Sequence, residues 1–420
     1  MRGAGLLAQL LAQLRQSFSR VTSSVAYIPQ VDGLRALAMM MVLAHHVASI
    51  YLEDTHLLGT QHLPQDWDKI ALRSPLVNWL LHLGIGVPLF CAISGFVLTI
   101  PFARNAMKGL PAPSWWLYLL RRLIRMEPPY IVNMTILLLM VLMPWRMGWG
   151  YAIGMLHLFG PHYLASLVYL HAQIYGGPSW VNGVAWTLEI ELQFYLVLPV
   201  LAELFRVRQK ALRRAIFAAL VLGSAVFAQF GLPALHIARL DFSLLRQLQF
   251  FSVGMLLADI HLDPPAAWRR LGPKGGDAMV VASAALLVYV LHWRPQLAYV
   301  EPFLVAWFFF AVFRAGWFGR LFSAPVLTMQ GTICYTIYLY HFFIVGRLLP
   351  FTIRLFPPVH ALWFDLTVQL PLLLVPVLAI SAVLYMLAER PFVVLSHTIA
   401  GRLQTKPTAA GLTTPAGARR

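Results

Sequence analysis

Long apolar stretches alternate with short basic, Pro- and Gly-containing segments along almost the whole chain. About 20 apolar residues are needed to cross a hydrocarbon core about 30 Å thick. Stretches at 34–51, 77–101, 129–146, 183–202, 215–232, 244–261, 278–293, 298–314, 326–347 and 363–387 approach or exceed that length. They predict an all-α polytopic membrane protein with about ten transmembrane helices. The stretch 150–172 is apolar too, but Gly160, Pro161 and three histidines interrupt it. It is expected to be re-entrant or interfacial, because a full crossing there would invert every later loop.

Composition agrees with the pattern. Of the 420 residues, 59% are hydrophobic and 11% charged, with a mean hydropathy of +0.70, too little charge to cover a soluble surface. The net charge of +16 would suggest nucleic acid in a soluble protein. Here 24 of the 32 Lys and Arg fall on alternate loops, so membrane orientation explains the excess, places both termini in the cytoplasm and leaves no reason to expect nucleic acid as a partner. At the N-terminus, Leu7, Leu10, Leu11, Leu14 and Phe18 recur at helical spacing without a cleavage site, which predicts a cytoplasmic amphipathic segment over 1–27. Residues 28–395 form the membrane domain, and the Pro/Gly-rich stretch 396–420 reads as a disordered cytoplasmic tail. Cys91 and Cys334 both lie in apolar runs, and no metal-ligand spacing accompanies them.

Five polar motifs interrupt this apolar background. Asp32-Gly-Leu-Arg35-Ala leads to His46 inside the first apolar helix, and an intramembrane ionisable group is a candidate functional residue by default. Ser94-Gly95 sits in the second span, where a small pair permits close helix packing or leaves room for a ligand. Arg121, Arg122 and Arg125 follow Trp115-Trp116, on a helix that Pro128-Pro129 is expected to end, and guanidinium forks suit phosphate. Trp186-Thr-Leu-Glu-Ile-Glu191-Leu-Gln193-Phe-Tyr195 carries two carboxylates, Glu189 and Glu191, which point in different directions. Tyr335, Tyr338 and His341 share one stripe of the ninth span.

Counting rise along each helix puts His46 about 18 Å and His341 about 22 Å above the cytoplasmic ends. Glu191 comes out about 12 Å below the outer end of its span, which places all three at a similar outer level with the arginines near the opposite face.

In this order the motifs resemble those of the acyltransferase-3 family of membrane acyltransferases, over roughly residues 28–395. The matching elements include Asp32 to His46, Ile93-Ser-Gly-Phe96, Arg122 and Arg125 before Pro128 and Tyr130, Trp186 to Tyr195, Tyr335 to His341, and Glu389-Arg-Pro391. Spacing from Asp32 selects His46 over His45. Glu189 and Leu192 depart from the family pattern.

The resemblance implies an O-acyltransferase of the bacterial inner membrane, with acyl-CoA (acetyl-CoA foremost) as co-substrate and no permanently bound cofactor or metal. It implies Arg122 and Arg125, with Arg121 in reserve, as ligands for the coenzyme A phosphates, and Ser94-Gly95 beside its pantetheine arm. His46 becomes the general base, Glu191 an orienting or acceptor-binding group, and His341 an oxyanion or acceptor ligand. Asp32, Arg35, Trp186, Gln193, Tyr195, Tyr335 and Tyr338 complete the motifs. The acceptor would be a hydroxyl of a carbohydrate, a lipid-linked glycan or another envelope or small molecule, reached among membrane lipid. No extracytoplasmic hydrolase-like domain is visible in this sequence, which implies direct acylation or a separate extracytoplasmic partner. The rival reading is a proton-coupled transporter or flippase that uses the same His and Glu as a relay.

Overall fold

The computed structural model describes residues 27–54, 75–111, 114–143, 148–358 and 361–404, and every regular element in them is helical. The expected amphipathic N-terminal segment and residues 405–420 of the tail lie outside the described residues. The long helices are α1 Pro29–Asp54, α2 Pro75–Lys108, α3 Trp115–Leu142, α4 Gly148–Leu167, α5 Trp186–Ala202, α6 Lys210–Leu235, α7 Leu244–Leu262, α8 Pro273–Trp293, α9 Pro295–Val312, α10 Cys334–Leu355 and α11 Leu362–Ser396. Eight of them are long and apolar enough to cross a membrane among the described residues. The two other expected spans are α5, which has 17 residues, and α7.

Four expectations change. Pro128 and Pro129 do not end a helix: α3 runs through them, so Arg121, Arg122 and Arg125 sit on the same rod as the span that follows. Gly160 and Pro161 likewise lie inside an unbroken α4. Neighbouring elements can satisfy the carbonyls that a buried proline frees, so proline breaks membrane helices less often than soluble ones. The ninth span is instead two helices, Pro325–Thr332 and α10, parted at Ile333. The chain also stays helical through Gln404, past the expected boundary at 395.

Close backbone contacts set the helix crossings. A Cβ on Gly95 would stand 2.2 Å from the Phe251 carbonyl oxygen, and one on Gly254 would stand 2.2 Å from that of Ala92. Helices α2 and α7 therefore cross with backbones in contact, and Phe194 stacks on Phe251 beside the crossing at 4.2 Å. Gly331 packs in the same way against the Asp32 carbonyl, which seats the helix before the α10 break on the start of α1.

The basic run at the start of α6 does more than mark a loop. Arg213 and Asp259 are buried and ion-paired, Arg214 Nε donates to Asp259 at 2.7 Å, and Arg213 also donates to the Val207 carbonyl at 2.7 Å. At the rim Lys210 meets Asp263 at 2.8 Å, and this bond with the two nearby guanidiniums holds the Asp263 carboxyl below its ordinary range.

Orientation has a direct check. Reporter fusions after residues 115, 208 and 272 are expected to report the cytoplasm, and those after 236 and 355 the opposite side. Opposite readings at 115 and 208 would mean that α4 crosses the membrane.

Candidate active site

A cavity of about 150 Å³ opens between α1, α2, α3, α5, α10 and α11. Three guanidiniums line it, Arg35, Arg122 and Arg125, with three carboxylates, Asp32, Glu191 and Glu389. Arg35 is paired with buried Asp32 at 3.0 Å, one helical turn away. Arg122 and Arg125 make no hydrogen bond among the described residues, and their only close carboxylate is Glu389, 3.9 Å from Arg125. Both forks are thus open to an anionic ligand.

Glu191 lines this cavity with the arginines, and neither His46 nor His341 does. Tyr195 donates to its Oε1 at 2.5 Å and Ser94 at 3.3 Å. Gly95 does not line the cavity either, because the Phe251 backbone occupies the space its missing side chain leaves. Its role is packing, which corrects the donor-binding expectation.

Other motif residues lie outside the cavity lining. Gln193 accepts the Leu244 N–H at 2.8 Å and so caps α7. Trp186 packs edge-on against Phe242. Arg121 is absent from the cavity lining. Buried Glu189 accepts the Ala172 N–H at 3.0 Å, which ties the helix His171–Tyr175 to α5. There His162 and His171 bond at 2.7 Å with Trp180 stacked on His162, and burial lowers the proton affinity of the His171 imidazole.

The two catalytic histidine candidates meet. His341 Nε2 lies 3.0 Å from His46 Nδ1, and His341 Nδ1 lies 2.8 Å from the Tyr338 carbonyl and 3.1 Å from that of Ile337. A carbonyl only accepts, so His341 Nδ1 carries hydrogen and its Nε2 is the lone-pair side. His46 Nδ1–H must then donate to that lone pair, which leaves His46 Nε2 as the free basic nitrogen. Both nitrogens of His341 are occupied, so it orients His46 and has none left for an oxyanion or acceptor. His45 instead donates from Nδ1 to the Leu81 carbonyl at 2.8 Å and anchors α2.

Tyr338 joins the two halves. Its ring lines the cavity, lies 5.7 Å from the His341 ring, and is held by Thr187 at 2.5 Å and the Val184 carbonyl at 2.7 Å. Tyr335 lines the cavity one turn below and donates to the Met126 carbonyl at 2.8 Å. Sequence reasoning gave Arg35, Asp32 and Glu389 only as motif members. Their common signal was charge inside apolar segments.

Comparison with known proteins adds a separate line. Nodulation protein 10 of Rhizobium leguminosarum bv. viciae is 31% identical over 176 residues, 39% of this chain and 46% of that protein. A Staphylococcus aureus (strain COL) protein, whose name gives it provisionally as an O-acetyltransferase, is 24% identical over 369 residues, 82% of this chain and 55% of its own. A Bacillus subtilis (strain 168) protein, named provisionally as a peptidoglycan O-acetyltransferase, is 25% identical over 216 residues, 48% of this chain and 28% of its own. The chain spans about half the length of the first two relatives. No solved structure matches. The pattern that defines the acyltransferase-3 family, described as an acyltransferase domain, matches residues 28–386, and the chain belongs to that family of membrane acyltransferases.

Proposed function

We propose that this protein moves an acyl group, acetyl foremost, from cytoplasmic acyl-CoA to a hydroxyl of a carbohydrate or other cell-envelope acceptor, in a bacterial inner membrane. One observation carries the reading. Guanidiniums free of hydrogen bonds, Arg122 and Arg125, and a histidine pair with one free basic nitrogen sit on either side of a single residue, Tyr338.

Arg122 and Arg125 would hold the coenzyme A phosphates, with Ser94 and Tyr335 flanking its arm. His46 Nε2 takes the proton of the acceptor hydroxyl as its oxygen bonds to the thioester carbonyl carbon. The tetrahedral adduct collapses, the carbon–sulfur bond breaks, and the proton passes from His46 to the departing thiolate. The products are an ester and free coenzyme A, with no net proton change. The family match and the names of the relatives favour acyl transfer over transport.

The test is mass spectrometry of envelope glycans and lipids with and without the gene. An acyl-sized mass loss in the deletion supports the reading, and unchanged spectra with purified protein inert towards acetyl-CoA would sink it. Arg122→Ala and Arg125→Ala are each expected to raise KM for the donor about ten- to a hundredfold, the loss of a charge-assisted contact at a half-open site. Lys replacements are expected to recover only part of this, because they lose the fork. Donor titrations with an unchanged KM in both Ala variants would remove the phosphate role.

A further inference from the structure

Glu389 occupies an unusual position for a carboxylate that lines a cavity. It is fully buried on the wide turn Tyr385–Glu389 inside α11, and it faces the break that parts Pro325–Thr332 from α10. That break exposes the first N–H groups of α10, and Glu389 serves them. The Thr336 hydroxyl donates to its Oε2 at 2.5 Å, and the Thr336 backbone N–H bonds it too. A carboxylate at a helix N-terminus is stabilised by those donors and by the helix dipole.

Its other oxygen tells a different story. Oε1 has no hydrogen-bond partner and lies 3.9 Å from Arg125 Nη2, close enough for attraction but too far for a bond. Arg125 is therefore drawn to Glu389 without being tied to it, and Glu389 keeps its α10 donors when Arg125 leaves.

We propose that Glu389 is a resident competitor for the donor-binding guanidinium: Arg125 exchanges between Glu389 and a phosphate of the entering ligand, and the return to Glu389 helps expel coenzyme A after transfer. This rests on the reading of Arg125 as a phosphate ligand. The cavity makes such a device useful. Its three arginines stand beside three carboxylates, so a multiply charged phosphate ligand competes with carboxylates already in the cavity. Asp32 is bonded to Arg35, and Glu191 to Tyr195 and Ser94, which leaves the long Arg125–Glu389 contact as the pair that yields most easily. The alternative is that Glu389 merely positions Arg125 for the ligand. The two roles predict opposite signs.

The experiment measures binding of coenzyme A itself to purified full-length protein and to Glu389→Gln, with stopped-flow dissociation rates alongside. Gln keeps an oxygen for the Thr336 donors and removes the charge. Competition predicts tighter binding, on the order of tenfold in Kd for one charge at a partly screened site, together with slower dissociation. Weaker or unchanged binding in a folded Glu389→Gln protein would overturn the proposal. Thermal unfolding certifies the fold, and Glu389→Asp, which keeps the charge, is expected to bind no tighter than wild type. A tighter Glu389→Asp protein would also overturn the proposal. If wild type binds no coenzyme A, the donor reading fails first, a result distinct from failure of the exchange.

Discussion

Replacing His46 with Ala is expected to cut acyl transfer about 10²–10⁴-fold while leaving protein abundance and donor binding close to wild type. The basic nitrogen is removed, the arginine cavity proposed for the donor does not include this residue, and the small void falls at a half-buried position. His45→Ala is expected to do the reverse. It deletes the bond to the Leu81 carbonyl, so folded protein falls while activity per folded molecule persists. Consecutive helical residues diverge by about 100°, which is why one sequence step separates the two outcomes. His341→Ala is expected to fall with His46→Ala in rate, because His46 then loses the partner that fixes its tautomer. Transfer assays normalised to folded protein decide this, and wild-type activity in His46→Ala would refute the base.

Asp259→Ala is expected to be the most destabilising change outside the site, at about 3–5 kcal/mol. Asp259 is fully buried and answers two guanidiniums, Arg213 and Arg214, so its removal leaves positive charge in the interior without a counter-ion. Lys210→Ala, at the exposed rim of the same cluster, is expected to cost less than about 1 kcal/mol. Thermal unfolding in detergent compares them, and equal shifts would show that burial does not govern this cluster.

The helices and most of the candidate site were legible in the sequence because lipid penalises polar groups strongly. Arg122, Arg125, Glu191, Tyr335, Tyr338, His46 and His341 stood out against an apolar background for that reason. What they touch was less legible. The meeting of His46 with His341 was expected only as a shared level, and the grouping of Glu191 with the arginines in one cavity was not expected. Pro128-Pro129 signalled a helix end that does not occur, since local rules for proline assume water as the competing solvent. The break at Ile333 carries no strong breaker of its own. It arises where Gly331 meets the Asp32 backbone, a contact about 300 residues apart in the chain that no local pattern encodes.

The histidine pair has one more consequence. Neither ring is hydrogen-bonded to a carboxylate among the described residues; the partners are backbone carbonyls and each other. A proton taken from the acceptor therefore meets no fixed negative charge that would store it, and one positive charge is shared between two rings in a medium that penalises it. The charged state is a toll point that the reaction passes through and does not occupy. On the proposed mechanism turnover is self-clearing: the proton departs with the thiolate, and the pair returns to its neutral state without a separate resetting step.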